Sequence, residues 1–96
     1  MSEYENLTLD ECRKRIDLLD GRIAVLFSER LEICDRIAEI KAQQGLAVMN
    51  RAREEQVTEK VRNIADSCCA DDVARLYESV FAVSRARQER KNNNGC

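Results

Sequence analysis

Residues 8–43 read TLDECRKRIDLLDGRIAVLFSERLEICDRIAEIKAQ, and this stretch decides the fold. Leu9, Cys12, Ile16, Leu19, Ile23, Leu26, Arg30, Ile33, Ile37 and Ile40 follow one another at alternating spacings of three and four. An apolar position recurring every 3.5 residues is the seam of a helix that packs lengthwise against another helix. Thr8 or Asp10 is placed to cap its start, and Gly45 to end it. Gly21 falls inside, at a cost of about 1 kcal/mol relative to Ala, which a helix of this length absorbs.

A helix over 8–43 is roughly 50 Å long. A compact domain of about 100 residues has a radius of gyration near 13 Å. The helix therefore overshoots any globule that the 96 residues of this chain build alone. Its stripe needs a partner along its whole length, and a second copy is the simplest one. The expected fold is all-α, with three helices per chain, one of them very long, in an intertwined six-helix homodimer. One domain is expected over 1–96, ordered over about 8–90 with a polar tail at 91–96.

Past a loop at 44–49, Asn50 is a good N-cap for a second helix to about Asp66, with Val57, Val61 and Ile64 inward. A turn at 67–70 leads to Asp71 or Asp72 as the next cap. The third helix then runs to about Arg90 on an apolar face of Val73, Leu76, Tyr77, Val80 and Phe81. There is no proline to interrupt these segments.

Composition excludes several classes of function. The formal charge is -2, which gives no general basic face for nucleic acid. No apolar run approaches the roughly 20 residues that cross a bilayer, and the acidic N-terminus is unlike a signal peptide, so a cytoplasmic protein is expected. The five cysteines lack metal-ligand spacing and the chain has no histidine. Free thiols are expected, Cys12 packing as a small apolar residue and Cys96 in the tail, with no metal site and no cofactor. Without histidine the usual nucleophile–base triads are absent, as is a glycine-rich phosphate loop. An enzyme built from this chain works by positioning and electrostatics.

Some polar residues stand where the pattern wants apolar ones. Arg30 occupies a seam position, where it either pairs with a glutamate, extends its head to water, or meets an anionic ligand. Ser84 and Gln88 continue the inward face of the third helix at i, i+4 spacing from Val80, unless that face simply ends in solvent. Lys41 suits a helix C-terminus and Glu54 a helix start. Arg53 in that same first turn is less favoured, which hints at another task. Arg13 beside Cys12 is either surface or site.

Taken in order, Arg13 in CRKRIDLLD, Arg30 in LFSERLEI, Lys41 in IAEIKAQQG, Arg53 and Glu54 in VMNRAREEQV, and Ser84 with Gln88 in SRARQ resemble the small all-helical chorismate mutases, over nearly everything from Leu9 to about Arg90. The resemblance implies two chains with crossing first helices and two identical sites. It implies the Claisen rearrangement of chorismate to prephenate, in the Phe/Tyr branch of aromatic amino-acid biosynthesis, with no proton transfer or covalent intermediate. Arg13 of the second chain and Arg30 would clamp the two carboxylates, Ser84 helping at the ring carboxylate. Lys41 and Gln88 would donate to the ether oxygen as its negative charge grows. Glu54 would accept from the ring hydroxyl, with Arg53 adding positive potential and orienting Glu54 or a carboxylate. Asn50 stands where Asp is common in the family, still able to cap and to bond a hydroxyl, but with one negative charge fewer. Phe81 stands where a smaller aliphatic is usual.

Rival readings on the same scaffold are an isochorismate-pyruvate lyase or a mutase acting on an amino analogue of chorismate. A rival of another class is a non-catalytic helical dimerisation or regulatory module. No regulatory segment or fused enzyme is read in the chain, and control through a partner enzyme stays an open reading.

Overall fold

The computed structural model describes residues 3–94. It contains three helices, α1 (Leu9–Gln44), α2 (Arg51–Ile64) and α3 (Ala70–Asn94), and no strand among the described residues. The chain divides into two compact units, 1–32 and 33–96.

In the first unit, α1 starts on a reciprocal cap. The Thr8 hydroxyl accepts from the Glu11 amide at 3.1 Å, and the Glu11 carboxylate accepts from the Thr8 amide at 3.4 Å. Two of the four amides that a helix start leaves unpaired are thus satisfied, and the cap is Thr8 rather than Asp10. Ahead of it, the Leu7 amide closes a turn on the Tyr4 carbonyl, and the Arg15 guanidinium lies 5.7 Å from the centre of the Tyr4 ring. The seam side chains Leu9, Ile16, Leu19, Ile23 and Leu26 are all exposed, Leu26 at 63%.

In the second unit, α1 ends at Gly45, whose φ of +68° is the left-handed conformation that glycine adopts without a Cβ clash. The Leu46 amide returns to the Lys41 carbonyl at 2.8 Å and the Gly45 amide to the Ala42 carbonyl at 3.3 Å, the paired bonds of a Schellman end. Asn50 caps α2, its side-chain oxygen accepting from the Arg53 amide at 3.1 Å. A short turn at 66–69 joins α2 to α3.

Three expected boundaries and two expected faces need correction. The second helix ends at Ile64 rather than Asp66, and Ile64 is exposed rather than inward. The third begins at Ala70, ahead of both aspartates, with the Val73 amide bonded to the Cys69 carbonyl; Asp71 and Asp72 sit in its first turn, where the helix dipole favours their charge. It continues to Asn94, so 91–94 are helical; Gly95 and Cys96 lie outside the described residues. Leu76 is exposed. Cys12, Cys34, Cys68 and Cys69 are thiols outside any disulfide.

The core of the second unit is small. Cys34, Ala38, Val48 and Phe81 are its buried apolar residues, and Ser84 and Gln88 are buried with them. Cys34 and Ala38, not the seam residues Ile33 and Ile37, are the side chains of α1 that this core takes in. Ile33 remains 62% exposed. Tyr77 meets Phe81 edge-on, with ring centres 5.7 Å apart. α1 and α3 are tied by a two-pronged ion pair, in which Arg87 Nε and Nη2 donate to the two oxygens of Asp35 at 2.8 Å each.

The guanidinium hydrogen bond holds the Asp35 carboxyl below its usual pKa. A depressed carboxyl pKa adds stability that is complete above the unfolded value of about 3.9 and is lost as pH falls through the folded value. Asp35→Asn is therefore expected to lower the melting temperature near neutral pH. The gap to wild type should close below about pH 4 in a pH series of thermal melts; a gap constant with pH would show that the pair contributes nothing through its charge.

Candidate active site

The second unit gathers six of the eight expected site residues: Lys41, Asn50, Arg53, Glu54, Ser84 and Gln88. Each is positioned by a local feature of the sequence. The Schellman end turns the chain back so that the buried Val48 presents its carbonyl to the Lys41 ammonium, at 2.6 Å. A neutral carbonyl fixes the ammonium without cancelling its charge, so Lys41 stays available to an anion.

Asn50 commits its side-chain oxygen to the cap of α2. Its amide NH2 is therefore the part with hydrogens to offer a ligand, whereas an aspartate has none there. Arg53 is exposed, with Nη1 donating to Gln56 at 3.2 Å. Glu54 is only partly exposed and is held from α3: Arg85 Nη1 lies 2.6 and 2.5 Å from its two oxygens.

On α3, one helical stripe runs Phe81, Ser84, Gln88, and all three are buried. The face does not end in solvent. Ser84 donates back to the Val80 carbonyl at 2.6 Å. Gln88 is 6% exposed and its side-chain oxygen has no donor within the described chain. A buried acceptor left unpaired costs about 1–3 kcal/mol, and such groups are rare in folded proteins. Gln88 therefore carries acceptor capacity that the described chain does not use.

Arg13 and Arg30 belong to the first unit, where Arg13 is exposed and Arg30 half-buried. The residues missed in the sequence are Arg85, Arg87 and Asp35. Their side chains are partly exposed, so no apolar pattern flags them. The one available signal for Arg85 is its place four residues after the inward Phe81.

Comparison with known proteins gives the family of the chain. Residues 12–89 match the chorismate mutase type II family. The chain belongs to that family, and with it to the isomerases. Its relatives include a chorismate mutase of Methanocaldococcus jannaschii, 33% identical over 83 residues that make up 84% of each chain. A bifunctional chorismate mutase/prephenate dehydratase of Aquifex aeolicus is 40% identical over 53 residues, 55% of this chain and 15% of that protein. A 3-dehydroquinate dehydratase of Pyrobaculum aerophilum is 29% identical over 80 residues, 83% of this chain and 24% of that protein. The chain thus spans most of the first relative and a minor part of the other two. No solved structure gives a significant match.

If the buried amide of Gln88 is kept for a ligand and not for packing, removing it with its unpaired oxygen should stabilise the free protein while destroying turnover. Gln88→Met is expected to raise the unfolding free energy by about 1 kcal/mol in a urea titration without ligand. An unchanged or lower value would mean that the oxygen already has a donor in the free protein.

Proposed function

We propose that two copies of this chain form the working chorismate mutase, each site holding chorismate folded for its rearrangement to prephenate. The observation that carries this reading is the burial of Ser84 and Gln88, the latter with an unpaired oxygen, on a helix face continuous with the apolar core. A structural or dimerisation module has no use for that arrangement, and apolar side chains would stabilise it better.

The reaction makes one bond between carbons and breaks the ether C–O bond within a single molecule. The protein need not supply a nucleophile or a base. It has to freeze a compact conformer of a flexible dianion and stabilise the charge that grows on the ether oxygen. Freezing the conformer is an orientation effect, for which effective molarities are large. Arg30, and Arg13 from the second chain, carry out the clamping, with the Ser84 hydroxyl turning from the Val80 carbonyl to donate to the ring carboxylate. Arginine suits this because its planar fork meets a carboxylate through two hydrogen bonds. In the sequence, Arg30, Cys34, Ala38 and Lys41 follow at i, i+4, i+8 and i+11, the spacing of one helical stripe.

Lys41 and the amide NH2 of Gln88 donate to the ether oxygen. Their hydrogen bonds strengthen as the oxygen becomes anionic, so they lower the barrier and not merely the substrate's energy. In this role Gln88 uses its amide nitrogen, since an amide nitrogen donates and an amide oxygen only accepts. Glu54 and Asn50 meet the ring hydroxyl. Arg53, exposed in the free chain, adds positive potential at the mouth of the site.

The case for a second copy rests on α1. Leu9, Ile16, Leu19, Ile23 and Leu26 in the first unit, and Ile33 in the second, remain exposed on a stripe of heptad spacing. Each large aliphatic side chain gains about 1.5–3 kcal/mol on full burial, so an uncovered stripe of this length is costly to leave in water. Among the described residues no helix is long and apolar enough to cross a membrane. A protein partner, namely the same stripe on another copy, is the cover of matching length.

Mixing separately purified Arg13→Ala and Arg30→Ala proteins tests the shared site. Each alone should have almost no prephenate-forming activity. After exchange of chains, one site of every mixed dimer has both arginines, so activity should recover to about a quarter of wild type. Failure to recover, with mixed dimers demonstrated by mass, would show that Arg13 and Arg30 do not serve one site across two chains.

A further inference from the structure

Arg85 has no part in the clamp or in the contacts to the ether oxygen, yet it makes the tightest side-chain contact in the second unit that involves a site residue. Its Nη1 sits between both oxygens of Glu54, at 2.6 and 2.5 Å, across the α2–α3 packing. Both partners are largely shielded, at 32% and 21% side-chain exposure, so solvent screening of the pair is weaker than for a surface bridge. A carboxylate has about four acceptor positions, and this contact leaves room for a ligand hydroxyl while fixing where the oxygens stand.

The contact has a second effect. The groove of about 550 Å³ between α2 and α3 is acidic, lined by Glu54, Glu55, Glu59 and Glu78 against Arg51 and Arg62. Without Arg85, Glu54 would stand uncompensated among these anions and draw in a cationic ligand. Arg85 cancels that charge, and Asn50 contributes none. The Glu54–Arg85 pair is thus neutral in itself, with a hydrogen-bond acceptor held in place.

We infer that Arg85 is a positioning and specificity-determining residue: by pinning and neutralising Glu54, it makes this end of the site select a ring hydroxyl over a ring ammonium. The inference rests on the chorismate mutase reading and on Glu54 meeting the ring substituent. Its chemical content is the choice between chorismate and the analogue with an amino group in place of the ring hydroxyl. That amine is protonated at neutral pH, and a neutral pair offers it an acceptor but no counter-charge.

The test is the ratio of kcat/KM for chorismate to that for the amino analogue, measured by loss of each compound with wild type, Arg85→Ala and Arg85→Lys. Arg85→Ala is expected to raise KM for chorismate about tenfold with a smaller change in kcat, because the loss falls on ground-state recognition. It should lower the chorismate-to-analogue ratio by about tenfold, since Glu54 regains its charge. Arg85→Lys, which keeps the positive charge, should restore most of the ratio. A ratio within twofold of wild type in Arg85→Ala, or equal losses for both compounds, would overturn the inference, because a merely structural role lowers both alike. Should Arg85→Ala fail to fold, Glu54→Gln takes its place. It leaves Arg85 unpaired, so the analogue must lose more than chorismate, and equal losses overturn the inference again. Wild-type turnover of chorismate separates the two levels. With turnover and an unmoved ratio only this inference fails, whereas without turnover the mutase reading fails and takes the inference with it.

Discussion

Successive residues on a helix are 100° apart, and α1 uses that angle to keep two faces for two purposes. Cys34 and Ala38 are buried in the chain's own core, while Ile33, one residue earlier, is exposed. The in-chain face is built from small side chains, which let the rest of the unit come close. The seam one step round is built from large aliphatic ones. A helix with a single apolar face could serve its own core or a partner, but not both. The offset by one residue lets the polar residues of the unit be organised from within, while the larger stripe stays outside the chain's own core.

The polar interior follows from that division. Because the core on the Cys34–Ala38 side is thin, Phe81, Ser84 and Gln88 of α3 take up the remaining space, and two of those three are polar. α3 is kept in register by the Arg87–Asp35 pair, one residue before Gln88, so a charged clasp near the surface fixes a neutral group inside. The Glu54–Arg85 pair does the same between α2 and α3. Charged contacts here contribute less through net stability than through geometry. A two-pronged ion pair has a narrow range of acceptable positions, whereas apolar contact alone tolerates sliding.

Much of this was legible in the sequence, and the reasons for the remainder are physical. The 3–4 spacing of Leu9 to Ile40 identified a helix, and α1 runs Leu9–Gln44. Asn50 as a cap and Gly45 as a stop were readable because those positions depend on one residue's backbone chemistry. The seam itself did not reveal which residues pack within the chain, because Cys34 and Ala38 are too small to stand out beside the isoleucines. Ile64 and Leu76 fit an inward stripe by spacing, yet are exposed, since periodicity gives a face but not the extent of its cover. Of the site, the positions that break an apolar pattern, Ser84 and Gln88, were visible as anomalies. Arg85 was not, because a partly exposed arginine on a polar helix is unremarkable until its carboxylate is seen.

Lys41 is fastened to the following loop at both of its ends. Its carbonyl takes the Leu46 amide, and its ammonium donates to the Val48 carbonyl. The stretch between α1 and α2 is therefore a gauge of fixed length: a residue gained or lost there would carry the ammonium off its mark even though the helices on either side still formed. The other connection, through the exposed Ser67, Cys68 and Cys69, carries none of the expected site residues. Lengthening that second link would leave the ammonium where it is, whereas lengthening the first would not.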